Sequence, residues 1–125
     1  MVVINSLKFN DVTLKFGGIT ALNNVSFEVM PKTLYAIIGP NGAGKTSIFN
    51  CISGIYRPSE GSVTYGEQDI KNLRPDEIAE LGIARTFQNI ELFENMTVLD
   101  NILIGAHRHL NYGPVSSIFF TKKTR

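Results

Sequence analysis

Apolar residues alternate with polar ones over residues 7–16, at Leu7, Phe9, Val12, Leu14 and Phe16, with one slip at Asn10-Asp11. A period of two marks a strand with one buried face, and the slip predicts a bulge or a bulged hairpin arm. Gly17-Gly18 predicts a turn. Residues 21–29 alternate again through Val25, Phe27 and Val29, giving a second strand that a turn at Pro31-Lys32 closes. Residues 34–38 differ, because Leu-Tyr-Ala-Ile-Ile is an unbroken apolar run that fits a strand buried on both faces. Beyond it the period changes: Ile48, Phe49 and Ile52 are spaced as on a helix, with Gly54 as its stop. A turn cluster at residues 56–61 leads to a short strand at residues 62–65 that Gly66 ends. Pro75 opens a second helix with Asp76 and Glu77 in its first turn, where the helix dipole favours acids, and Gly82 ends it. Residues 83–87 read as a strand running into Gln88. Thr97 is a suitable N-cap for a third helix, carried by Val98, Leu99, Ile102 and Leu103 to about Leu110. Two alternating strands ahead of an apolar strand and its helix predict an α/β protein with an antiparallel flap before the core.

Composition narrows the class without naming it. A chain of 125 residues with 43% hydrophobic and 18% charged residues is globular and of the size of one domain. A net charge of +1 gives no electrostatic basis for nucleic acid as a partner. The single cysteine, Cys51, has no metal-site spacing around it and reads as a structural thiol in a reducing compartment. Residues 1–20 lack the apolar core of a signal peptide, and no run of eighteen apolar residues exists to span a membrane. Any membrane association is therefore expected to run through a partner.

The chemistry concentrates in residues 39–47, Gly-Pro-Asn-Gly-Ala-Gly-Lys-Thr-Ser, which fit the phosphate-binding P-loop pattern through Gly39, Gly44, Lys45 and Thr46. Gly42 and Gly44 let the backbone turn its N–H groups onto phosphate oxygens. Lys45 brings a point charge to the terminal phosphates and Thr46 offers a hydroxyl to Mg²⁺. The flanks agree with the motif, since an apolar strand precedes the loop and a helix follows it, its N-terminus favouring an anion. A glycine turn that merely precedes Lys-Thr would not require those flanks.

Several stretches together resemble the N-terminal part of an ABC transporter ATP-binding subunit, over residues 7–110. Phe16 stands ahead of Gly39 at about the spacing of the family's adenine-stacking aromatic. Residues 22–27 resemble the strand leading into the P-loop strand, residues 53–63 the stretch after the P-loop helix, and Arg85-Thr86-Phe87-Gln88 the strand ending in the glutamine loop. The resemblance implies an ABC-type P-loop NTPase fold: an antiparallel β flap, an incomplete parallel-sheet core and the start of a helical subdomain. It places the flap and core at about residues 1–95 and the helical subdomain at about residues 96–125, both within one ATP-binding domain. ATP would be held by Phe16, Gly39, Pro40, Asn41, Gly42, Ala43, Gly44, Lys45, Thr46, Ser47 and Gln88, with Thr46 and Gln88 on Mg²⁺. Position alone would make Phe16 a core residue of its strand and Gln88 a solvated loop residue.

Within the family, residues 16–29 and 85–107 look most like the branched-chain amino acid importers. That likeness implies transmembrane permease subunits, a second ATP-binding subunit and, indirectly, a periplasmic solute-binding protein, at the cytoplasmic face of the inner membrane. Leu92, Phe93 and Met96 would be candidate apolar contacts to a permease, or else core packing of the helix that follows. The family's signature motif, its Walker B carboxylates and its switch histidine are absent from these 125 residues. Residues 96–100 only mimic a Walker B strand, and Asp100 is expected on a helix face. His107 and His109 are two apart, on different helix faces, and make a poor metal pair. The chain is thus expected to be a truncated subunit that binds nucleotide without efficient hydrolysis. The alternatives are a non-catalytic nucleotide-binding or partner-docking fragment, or another P-loop NTPase such as a GTPase or small-molecule kinase.

Overall fold

The computed structural model describes residues 5–86 and 92–106. They divide into two compact units, with the boundary between Thr86 and Phe87.

The first unit is built on a four-stranded antiparallel sheet in the order β2-β1-β3-β4. Strand β1 (Leu7–Phe16) pairs with β2 (Ile19–Val29) across the Gly17-Gly18 turn. On its other side β1 pairs with β3 (Glu60–Tyr65), and β3 pairs antiparallel with the two-residue strand β4 (Gln68–Asp69), too short to read from periodicity. The slip at Asn10-Asp11 is a bulge: the register against β2 shifts between Phe9 and Val12, and Asp11 takes φ 49°. Asp tolerates this left-handed backbone better than most residues. Ser26 holds it there, its hydroxyl accepting from the Asp11 amide at 2.8 Å and donating to Asp11 Oδ1 at 2.8 Å.

Two helices belong to this unit, α1 (Lys45–Ile52) and α2 (Pro75–Glu80). The amide of Arg74 donates to Glu77 Oε2 at 2.7 Å, which ties the start of α2 to its own first turn. The sheet's inner face and both helices share one core: Phe9, Val12, Leu14 and Leu22 from the hairpin, Val63 and Ile70 beyond it, Ile48 and Cys51 from α1, and Ile78 from α2. Fully burying one such aliphatic or aromatic side chain is worth about 1.5–3 kcal/mol, so this cluster is the main cohesion of the unit.

Residues 34–38 depart from expectation. They join no ladder, and Leu34 and Ile38 are 101% and 91% exposed. Ile37 packs on the core, and Tyr35, about half exposed, stacks on Phe27 at 5.5 Å, itself stacked on Phe9 at 4.6 Å. The run keeps the two-residue alternation of a strand, but one face and both edges have no partner among the described residues. Residues 83–86 likewise form no ladder. A strand buried on both faces needs neighbouring strands and a second covering layer, and the described residues supply neither. The sheet they form is wholly antiparallel.

In the second unit α3 (Val98–Ala106) starts where Thr97 predicts. The Asp100 amide donates to Thr97 Oγ1 at 3.2 Å, the Thr97 hydroxyl donates to Asp100 Oδ2 at 2.7 Å, and the Thr97 amide reaches the same oxygen at 3.3 Å. Asp100 is therefore the acidic half of a reciprocal cap. Continuation of this helix towards Leu110, His107, His109 and the basic residues 122–125 lies outside the described residues.

Candidate phosphate-binding site

The glycine loop sits between the extended residues 34–38 and α1, and its geometry follows from one glycine. Gly44 is the N-cap of α1 with φ 82°, a left-handed backbone that a side chain would strain. A Cβ placed there would lie 2.7 Å from the carbonyl oxygen of Ala21 and 2.8 Å from Leu22 Cδ2. Glycine is thus required twice, for the turn and because the loop presses against β2. That contact joins the loop to the β1–β2 hairpin, for Leu22 pairs with Leu14, two residues before Phe16.

Within the loop the Ala43 amide donates to the Pro40 carbonyl at 3.3 Å, closing a turn over Asn41 and Gly42. Lys45 Nζ donates to the carbonyl oxygens of Gly39 and Pro40, at 2.7 Å each. An ammonium carries three donors, so the lysine is held across the loop with one hydrogen left for an incoming oxygen. Residues 39–43 and Thr46 are exposed, while Gly44, Lys45 and Ser47 are half-buried. Helix α1 has no side-chain cap and no acidic residue in its first turn. Its N-terminal amides and dipole therefore face an open loop with a fixed cation and no acid in the helix's own first turn, an arrangement suited to a polyphosphate.

Further along α1, Cys51 is buried in the core, and loss of solvation pushes its thiol up to about 11. It stays protonated at neutral pH and takes no part in chemistry at the loop. Asn50 accepts from Arg85 at 2.6 Å, and the Arg85 guanidinium lies 5.9 Å from the Phe49 ring. Arg85 thus fastens residues 83–86 to α1. Sequence reading singled out Arg85 only as part of the stretch before Gln88, and a bond across 35 residues leaves no local signal.

Phe16 ends β1 and is 44% exposed. It is not a core residue: its ring meets Tyr56 edge to face, with centroids 4.9 Å apart and an angle of 72° between the planes. The structure brings Gly39, Pro40, Asn41, Gly42, Ala43, Gly44, Lys45, Thr46 and Ser47 together in one loop and helix start, with the hairpin of Phe16 packed on Gly44 through β2. Gln88 lies outside the described residues. Among the described residues the exposed Thr46 hydroxyl is an oxygen donor of the kind that Mg²⁺ would accept beside bound phosphates. No cluster of three or more His, Cys, Asp or Glu side chains that could hold a metal exists among the described residues.

The ABC transporter family model matches residues 22–124. The chain belongs to the ABC transporter family. It is 41% identical over 119 residues to the high-affinity branched-chain amino acid transport ATP-binding protein LivG of Escherichia coli (strain K12), a match spanning 95% of this chain and 47% of LivG. It is 42% identical, also over 119 residues, to the corresponding protein BraF of Pseudomonas aeruginosa, spanning 95% of this chain and 47% of BraF. Among solved structures it is similar to the ADP conformation of MJ1267, an ATP-binding cassette of an ABC transporter. The TM-score is 0.76 at 38% identity, covering 96% of this chain and 47% of that one. A nucleotide-free ATP-binding cassette from an ABC transporter is similar with TM-score 0.74 at 38% identity, covering 94% of this chain and 46% of that one. This ABC family chain spans about half the length of these relatives. Its fold is that of the N-terminal part of an ABC ATPase cassette, and among the described residues no helix is long and apolar enough to cross a membrane.

Proposed function

We propose that this chain is the nucleotide-binding N-terminal portion of an ATP-binding subunit that energises a membrane importer of branched-chain amino acids. The observation that carries this is the Gly44–Lys45 junction: a left-handed glycine packed on the flap, a lysine pinned across the loop and an uncapped helix N-terminus. Identity of 41% to LivG over 95% of the chain supports the choice of solute class.

In this reading the amides of residues 39–47 bind the phosphates, Lys45 neutralises the terminal ones and Phe16 stacks on adenine. Thr46 and Gln88 would hold Mg²⁺, which supplies neutralising charge on the phosphate oxygens when bound. Residues 1–95 then form flap and core, and residues 96–125 open the helical subdomain. The exposed side chains of Leu92, Phe93 and Met96 suit a permease contact better than core packing of α3. Asn101 supports that loop: it accepts from the Phe93 amide at 3.0 Å and donates to the Phe93 and Thr97 carbonyls at 3.2 and 3.0 Å. The whole subunit would pair with a second ATP-binding subunit at the cytoplasmic face of the inner membrane, beneath permeases fed by a periplasmic binding protein.

Hydrolysis asks more of the chain than binding does. Phosphoryl transfer requires an aligned water and charge stabilisation around the transferring group. No polarising carboxylate follows a Walker B strand in these 125 residues. Nucleotide titration and phosphate release on the purified chain test both halves of the proposal. Mg-ATP should bind, Lys45→Ala should weaken binding at least about tenfold, given the worth of a charge-assisted bond, and phosphate release should stay at background. Unchanged binding by Lys45→Ala, or turnover abolished by it, would sink the respective half.

A further inference from the structure

Phe16 stands at the end of β1 with its side chain partly exposed. The Gly17-Gly18 turn that follows is open, with nothing within 4 Å of where either Cβ would be. The side chain that meets the Phe16 ring comes from forty residues further along. Tyr56 lies edge to face with it at 4.9 Å, and Tyr56 is itself anchored. Its amide donates to the Asn50 carbonyl of α1 at 3.0 Å, and its side chain packs partly against the core. Three residues on, the Ser59 amide donates to the Thr13 carbonyl at 2.8 Å, and the Lys15 amide donates to Ser59 Oγ at 3.1 Å. The segment carrying Tyr56 is therefore bonded at one end to the helix that follows the phosphate loop and at the other to the strand that carries Phe16.

We propose that Tyr56 is a positioning residue for base recognition: it holds the Phe16 ring at a set angle, so that a purine base meets a plane already oriented relative to α1. The ligand class is a nucleotide with an aromatic base. The inference rests on the reading of Phe16 as the base platform. A ring pair of this geometry contributes a modest preference beyond its buried area, and a platform ordered in advance binds more tightly than one ordered by its ligand. Residues 57 and 58, an arginine and a proline, continue the segment towards β3 and limit its freedom to drift.

The test compares a ligand with a base to one without, on the 125-residue chain, with folding checked by circular dichroism. Tyr56→Ala should weaken ATP binding about three- to tenfold and leave inorganic tripolyphosphate binding within about twofold. Tyr56→Phe, which keeps the ring, should restore ATP affinity. Tyr56→Leu, which keeps apolar bulk without the aromatic edge, should behave as Tyr56→Ala and serves if the alanine variant does not fold. Adding Tyr56→Ala to Phe16→Ala should cost little further, because the two act as one unit. Equal loss of ATP and tripolyphosphate, or failure of Tyr56→Phe to restore binding, would make Tyr56 a general fold residue and overturn the inference. So would unchanged ATP affinity in Tyr56→Ala while Phe16→Ala weakens it, with the Phe16 platform left standing. An unaffected Phe16→Ala would instead remove the platform and the inference together.

Discussion

At the scale of single residues, Gly44 and Cys51 show what burial and backbone do to side-chain choice. Gly44→Ala would strain a backbone at φ 82° and drive a methyl group onto the Ala21 carbonyl, which is main chain and cannot swing away. The expected cost is about 2–3 kcal/mol of stability, seen as a lower denaturation midpoint, with nucleotide binding lost alongside. Cys51 should resist alkylation at pH 8 in the folded chain and react fully in denaturant. Its thiol is pushed up to about 11 by burial, above its ordinary value of 9.0, so the folded state holds its proton longer than the unfolded chain. The stability linked to that proton is present below the ordinary thiol pKa and is lost as pH rises through the folded one. A pH series of urea midpoints should therefore decline from about pH 9 more steeply than in Cys51→Ala. A matching decline in both would show that the thiol is not responsible.

Among the elements, α3 shows how far local signals reach. Thr97 was legible as an N-cap because capping depends on residues three apart. The same locality gave Asp100 its role once the Walker B likeness was set aside. Thr97→Ala should destabilise the first turn of α3 by about 1 kcal/mol, measured as faster amide exchange at Asp100 and Asn101, with β1 and β3 unaffected. The bulge at Asp11 was likewise visible as a slip in alternation, while its fastening by Ser26 was not, because that bond joins two strands. Strand β4 and the failure of residues 34–38 to pair were also hidden. A ladder belongs to two segments, and periodicity describes one.

For the described residues as a whole, the decisive feature is an apolar run with Ile37 on the core and Leu34 and Ile38 exposed. Replacing Leu34 and Ile38 together by Thr should reduce dye binding to exposed apolar surface and slow aggregation, leaving the melting midpoint within about one to two degrees. Ile37→Thr should lower that midpoint, since Ile37 packs inward. Equal effects from both changes would mean that the two faces are not distinct. The sequence by itself determined β1 to β3, the three helix starts, the bulge, the Thr97 cap and the P-loop pattern of residues 39–47, because each is set by residues within a few positions of one another. Tertiary structure decided which apolar residues are buried, that Gly44 rests on β2, that Arg85 ties residues 83–86 to α1, and that Tyr56 meets Phe16. Those outcomes depend on segments tens of residues apart arriving at one place, and close packing, unlike periodicity, leaves no mark in either segment alone.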